Sequence, residues 1–169
     1  MNSDFELSRA VGSRLLQRNE TLALAESCTG GWIAKVITDV PGSSNWFGYG
    51  FVTYSNEAKH KLLGVPMSIF EQWGAVSAEC VKAMASGAQR VSGASWALSV
   101  SGIAGPSGGT ADKPVGTVWF GLVGTEGLEV ALRQHFPGNR EDVRRAATHF
   151  ALQLLLEKLN SPDLGAPNR

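Results

Sequence analysis

The chain has 169 residues, 43% of them hydrophobic and 18% charged, which suits one soluble domain with a continuous core and excludes a disordered polyelectrolyte. Fifteen basic residues balance fifteen acidic ones, so no overall field draws in nucleic acid or an anionic membrane, and neither is an expected partner. No apolar run approaches the roughly 18 residues of a membrane span.

The opening MNSDFELSRAVG lacks the cationic and apolar stretches of a signal peptide. Cys28 and Cys80 have no metal-ligand spacing and suit a reducing compartment, so the expected location is the cytoplasm. Ser3-Asp4-Phe5-Glu6 reads as a capping box ahead of Leu7, Val11 and Leu15, which predicts a helix ending near Arg18-Asn19. Thr21 to Ala25 is a short strand whose apolar run suits burial on both faces. Trp32, Ile33, Val36 and Ile37 form a helical face that Val40-Pro41-Gly42 stops.

Trp46 to Tyr54 is aromatic and β-prone, the second strand. Ser55 can cap a short helix over 56–63, closed by Gly64, and Pro66 opens another to Trp73. Ser77 caps a longer helix with an apolar stripe of Val81, Met84, Ala88 and Val91. Ala94 to Ser101 is a third strand, running into SGIAGPSGGTADKPVG. Two more strands, 116–124 and 128–136, flank a Thr125-Glu126-Gly127 turn. Asn139 caps a last helix with Val143, Ala147, Phe150 and Leu154 on one face. Residues 161–169, SPDLGAPNR, read as a frayed tail behind a single domain of 1–160.

This order predicts a three-layer α/β/α sandwich with a mixed, mostly parallel sheet of about five strands, one of them antiparallel. Ligands of such sheets bind beyond the carboxyl ends of the strands. The loops after Ala25, Tyr54 and Ser101 are therefore expected to meet in one cleft.

The corner AESCTGG carries the densest chemistry. A strand-to-helix corner exposes side chains and can aim backbone N–H groups at an oxyanion, and glycines permit close approach. Ser27 is the candidate nucleophile, set against an ordinary capping serine, with Cys28 as the rival. Of the three imidazoles His149 falls in the final helix and His135 in a strand, which leaves His60, next to Lys59, as the histidine candidate for a base. Lys59 is the alternative base, since a lysine in the first turn of a helix feels the positive helix end and desolvation favours its neutral amine. Lys61, two residues on, should face elsewhere. Zinc-protease HExxH, P-loop and dinucleotide GxGxxG patterns are absent, so neither a metal nor a cofactor is expected. Ser101, Gly102, Gly105, Gly108 and Gly109 could form a backbone anion cradle. Arg140 and Arg144, four apart at a helix N-terminus, could bind an anion or pair with Glu141, Asp142 and nearby acids.

Five blocks in order, AESCTGG, GFVTYSNEAK, SGIAGPSGG, KPVGTVWFG and GNREDVRRAA, resemble the nicotinamide mononucleotide deamidase family. Its domain is the C-terminal domain of CinA-type competence/damage-inducible proteins. The resemblance runs from about Leu7 to Leu159 and looks like the standalone form, without the N-terminal pyrophosphatase domain of longer members. It implies an α/β/α fold and metal-free hydrolysis of nicotinamide mononucleotide to nicotinic acid mononucleotide and ammonia. By motif it implies Ser27 as nucleophile, Lys59 as base and Tyr54 as a partner that orients the dyad or the amide. The Thr29-Gly30-Gly31 backbone would approach the oxyanion or substrate, and a homodimer is implied as possible. A rival of another class is a non-catalytic nucleotide-binding module linked to competence or DNA damage, which would not need both Ser27 and Lys59. A Cys28 thiol hydrolase is the third reading.

Overall fold

The computed structural model describes residues 3–161. In chain order the elements are α1 (Ser3–Arg18), β1 (Leu22–Glu26), α2 (Trp32–Thr38), β2 (Phe47–Val52), α3 (Asn56–Leu63), α4 (Met67–Gln72), α5 (Ala78–Ser92), β3 (Trp96–Gly102), β4 (Thr117–Val123), β5 (Glu129–His135) and α6 (Arg140–Asn160). The five strands form one sheet in the order β2-β1-β3-β4-β5. β1 pairs in parallel with β2 and β3, while β4 is antiparallel to both β3 and β5. Only β4 therefore runs against the rest, the mixed and mostly parallel sheet that the element order predicts.

Local signals act as their chemistry dictates. The Ser55 and Ser77 hydroxyls accept from the N–H groups of Ala58 and Cys80, and Asn139 and Asp142 complete a reciprocal capping box on α6. Gly64 and Gly93 end α3 and α5 in the left-handed region. The expected box at Ser3 does not form. Ser3 is already helical, and the Glu6 carboxylate reaches forward to Arg9 at 2.6 Å. Val91 of the predicted α5 stripe is 50% exposed, while Val81, Met84 and Ala88 are buried. The expected tail lies outside the described residues apart from Ser161, which caps the end of α6.

Alternation along β1 divides the core. Leu22 and Leu24 join α1, α2 and α6 in one cluster, whereas Ala23 and Ala25 face α3 and α5 in the other. The side chains on the α5 side are small, so that helix lies close to the sheet: the Ser99 hydroxyl donates to the Val81 carbonyl at 2.5 Å. On the opposite face Phe120 is fully buried against Phe136 and Phe150, and truncating such a ring costs about 3–5 kcal/mol. Among the described residues no helix is long and apolar enough to cross a membrane.

Register brings three strand ends together. Glu26, the last residue of β1, lies beside Val52 of β2 and Val100 of β3. The next residues of β1 and β2, Ser27 and Thr53, consequently leave the sheet at its carboxyl edge beside Ser101, which β3 still carries one residue before its end at Gly102. This is where a parallel sheet binds ligands.

Candidate active site

Ser27 and Lys59 meet at this edge. The Ser55 cap starts α3 so that Lys59 and Leu63, one turn apart, point inward. The Lys59 side chain is 1% exposed and Ser27 is 7% exposed. Lys59 Nζ donates to Ser27 Oγ at 3.0 Å, to the Thr53 carbonyl at 2.8 Å and to the Tyr54 carbonyl at 3.1 Å. Burial pulls the amine below its ordinary value of 10.5, with the nearby Cys80 and Cys28 thiols acting in the opposite sense. The same burial pushes the Cys28 thiol up to about 12 and Cys80 to about 11. A neutral Cys28 thiol is a poor nucleophile at neutral pH, which counts against the thiol reading.

Around the pair lies a cleft of about 270 Å³. Tyr54, Asn56, Ser101, Ser107 and Arg140 supply further polar side chains, and Ala75, Val76 and Ile103 an apolar wall. Gly102 at the end of β3 lines it too, with Gly105 and Gly108 in the loop that follows. Arg140 spans the mouth, donating to the Gly105 carbonyl at 2.8 Å and to the Tyr54 hydroxyl at 2.9 Å. It thereby ties the loop after β2 to the loop after β3.

Other expected site residues sit behind the cleft and not in its lining. Thr29 is fully buried, and its hydroxyl donates to Glu26 Oε1 at 2.6 Å. Gly30 and Gly31 adopt φ of 62° and 98°, a region that costs an ordinary residue roughly 1–2 kcal/mol. The backbone path is what asks for glycine at both. Gly109 packs against the returning chain at Val115. Arg144 donates to the Cys28 and Thr29 carbonyls at 3.0 and 3.3 Å and lies 5.6 Å from the centre of the Trp32 ring. All three contacts hold the corner from behind.

The donors at the start of α2 are spent. Gly30 N–H donates to the Ser27 carbonyl and Trp32 N–H to the Thr29 carbonyl. Those of Ile33 and Ala34 donate to the Glu26 carboxylate, each at 3.0 Å. The first turn of α2 therefore offers a substrate less than the sequence pattern suggests. The histidines are engaged as well: His60 with the Val65 carbonyl, His135 with the Val115 carbonyl and His149 with Asp4. None of the three lines the cleft.

A family model for the CinA C-terminal domain matches residues 4–159. The chain belongs to the CinA C-terminal domain family. Its relatives in that family include the nicotinamide-nucleotide amidohydrolase PncC of Enterobacter agglomerans, 56% identical over 90% of this chain and 93% of that protein. The protein of the same name from Escherichia coli K12 is 53% identical over the same shares. Among solved structures, the competence/damage inducible protein CihA from Agrobacterium tumefaciens superposes with a TM-score of 0.91. It is 38% identical, covering 95% of this chain and 98% of that one.

Sequence reasoning passed over three parts of this site. Glu26 was legible only as a charge ending an otherwise apolar strand. Asn56 was hidden in the first turn of a helix already assigned to Lys59. The Ala75-Val76 wall carries no signal beyond two small apolar residues in a connection.

Proposed function

We propose that the chain is a nicotinamide-nucleotide amidohydrolase that converts nicotinamide mononucleotide to nicotinic acid mononucleotide and ammonia through a Ser27 acyl-enzyme. The two relatives bearing that enzyme name support the substrate, and the 3.0 Å contact between Lys59 Nζ and Ser27 Oγ in a buried setting carries the mechanism. A neutral lysine amine has two hydrogens and one lone pair. With the hydrogens donated to the Thr53 and Tyr54 carbonyls, the lone pair is left facing Ser27 Oγ.

Ser27 Oγ attacks the carboxamide carbon while its proton passes to Lys59 Nζ. The tetrahedral intermediate collapses by breaking the C–N bond, and the Lys59 ammonium returns that proton to the departing nitrogen, which leaves as ammonia. Water then attacks the ester. Lys59 takes one proton of the water and delivers it to Ser27 Oγ, and the acid formed gives its remaining proton to solvent and leaves as a carboxylate. No step calls for a metal ion.

The apolar Ala75, Val76 and Ile103 are suited to the flat pyridinium ring. Arg140 and the glycine loop from Gly105 to Gly108 suit the phosphate, since a guanidinium and a stretch of backbone open to close approach line the same cleft. Tyr54, tethered to Arg140 through its hydroxyl, orients the dyad or the amide. The test is to incubate the purified protein with nicotinamide mononucleotide and a chelator, measuring ammonia and the acid mononucleotide. Equimolar products are expected from wild type and none from Ser27→Ala. Absence of ammonia from wild type between pH 7 and 10 would end this reading, and full activity in Ser27→Ala would end its mechanism.

A further inference from the structure

Glu26 is a buried carboxylate that the mechanism above does not use. It is 1% exposed and immediately precedes Ser27. Its side chain accepts from three neutral donors: Thr29 Oγ1 at 2.6 Å, Ile33 N–H at 3.0 Å and Ala34 N–H at 3.0 Å. A carboxylate withdrawn from water is costly unless its lone pairs are filled, and here the first turn of α2 fills them. The contact spans the whole corner, since it joins the end of β1 to residues seven and eight positions later.

The main chain of Glu26 reaches in the other direction. Its carbonyl accepts from Thr53 N–H at 2.9 Å, and the Thr53 carbonyl accepts from Lys59 Nζ at 2.8 Å. One residue thus holds the corner bearing Ser27 through its side chain and the strand end that orients Lys59 through its backbone. Rotating the corner would change the line between Ser27 Oγ and the amine lone pair without moving any group that binds the nucleotide.

We infer that Glu26 is a positioning residue, which with Thr29 sets the nucleophile in register with its base. The inference rests on the amidohydrolase reading. A glutamine in its place is isosteric but has one acceptor oxygen, and its amide NH2 would face the N–H donors of α2. Thr29→Val keeps the volume and removes the hydroxyl, while Thr29→Ser keeps the hydroxyl.

The experiment measures kcat and KM for nicotinamide mononucleotide in wild type, Ser27→Ala, Glu26→Gln, Thr29→Val, Thr29→Ser and the Glu26→Gln/Thr29→Val double variant. Circular dichroism and thermal melts report folding of each. Glu26→Gln and Thr29→Val should lose at least tenfold in kcat with KM within twofold, and the double variant should be no worse than the poorer single one. Thr29→Ser should stay within threefold of wild type. Should Glu26→Gln fail to fold, Thr29→Val and Thr29→Ser carry the same decision. Unchanged kcat with a lowered melting temperature would make the contact a helix cap alone and overturn the inference, as would a loss confined to KM. In both cases an active wild type and a dead Ser27→Ala leave the amidohydrolase reading standing. A wild type that releases no ammonia removes both.

Discussion

The two faces of α3 carry the same side chain in opposite settings. Lys59 on the inner face is 1% exposed and donates to one hydroxyl and two carbonyls. Lys61 on the outer face has a side chain 69% exposed and pairs with Glu57 at 2.7 Å. Two residues of helix, about 200° of rotation, separate a desolvated amine from an ordinary surface cation. The outer position offers a solvated cation, whereas burial favours the neutral amine at the inner one. Removing water from the amine raises the share of molecules that hold a proton-accepting lone pair at neutral pH.

The contrast is broken most severely at Lys59. Arginine retains the charge and cannot usefully deprotonate, so Lys59→Arg should lose about 10²–10⁴-fold in kcat, the range general-base catalysis provides. Circular dichroism would establish that the larger side chain leaves the fold intact, and near-normal turnover in the folded variant would mean that charge suffices. The wild-type pH profile sharpens the same point. Because burial lowers the Lys59 pKa, the neutral and active form appears at lower pH than in an exposed lysine. Activity should therefore rise with pH and level off below 10.5, whereas a plateau reached only above 10.5 would mean an unperturbed amine.

A second pair of like residues, Arg140 and Arg144, repeats the comparison at intermediate size. They share a face of α6, yet Arg140 lines the cleft and Arg144 holds the Cys28 and Thr29 carbonyls. Arg140→Ala should raise KM for the mononucleotide by an amount worth about 1.5–3 kcal/mol, the loss of a charge-assisted contact, and should erase the preference over the riboside that lacks phosphate. Arg144→Ala should leave that preference in place and lower kcat and the melting temperature, because the corner loses its brace. Steady-state kinetics on both substrates separates the two, and equal loss of preference in both variants would contradict the division of labour drawn here.

Lys61→Arg should do least. An exposed pair of this kind contributes about 0.3–0.5 kcal/mol, and arginine can keep it. kcat and melting temperature should both match wild type, and a tenfold fall in kcat would show that the outer face of α3 is not an inert control despite its exposure.

Much of the molecule was decided by interactions a few residues long, which is why the sequence alone reveals it. Caps at Ser55, Ser77 and Asn139 act on N–H groups three residues away, and alternation in Leu22–Glu26 sorts leucines from alanines whatever lies beyond. The element order and the mixed sheet follow from these local signals and from the lengths of the connections. Ser27 and Lys59 stood out because each sits beside a helix start that can be read from its own neighbours. What tertiary structure alone decided is how far along an element a side chain meets the site. A helix rises about 1.5 Å per residue, so the four residues from Arg140 to Arg144 cover about 6 Å. That distance is enough to carry a guanidinium from the mouth of the cleft to the back of the corner, though periodicity puts both on one face. Glu26 is the same case in the other direction. Its partners lie seven and eight residues on, across a turn whose path depends on Gly30 and Gly31 at positive φ, and only the folded chain brings those N–H groups to its carboxylate.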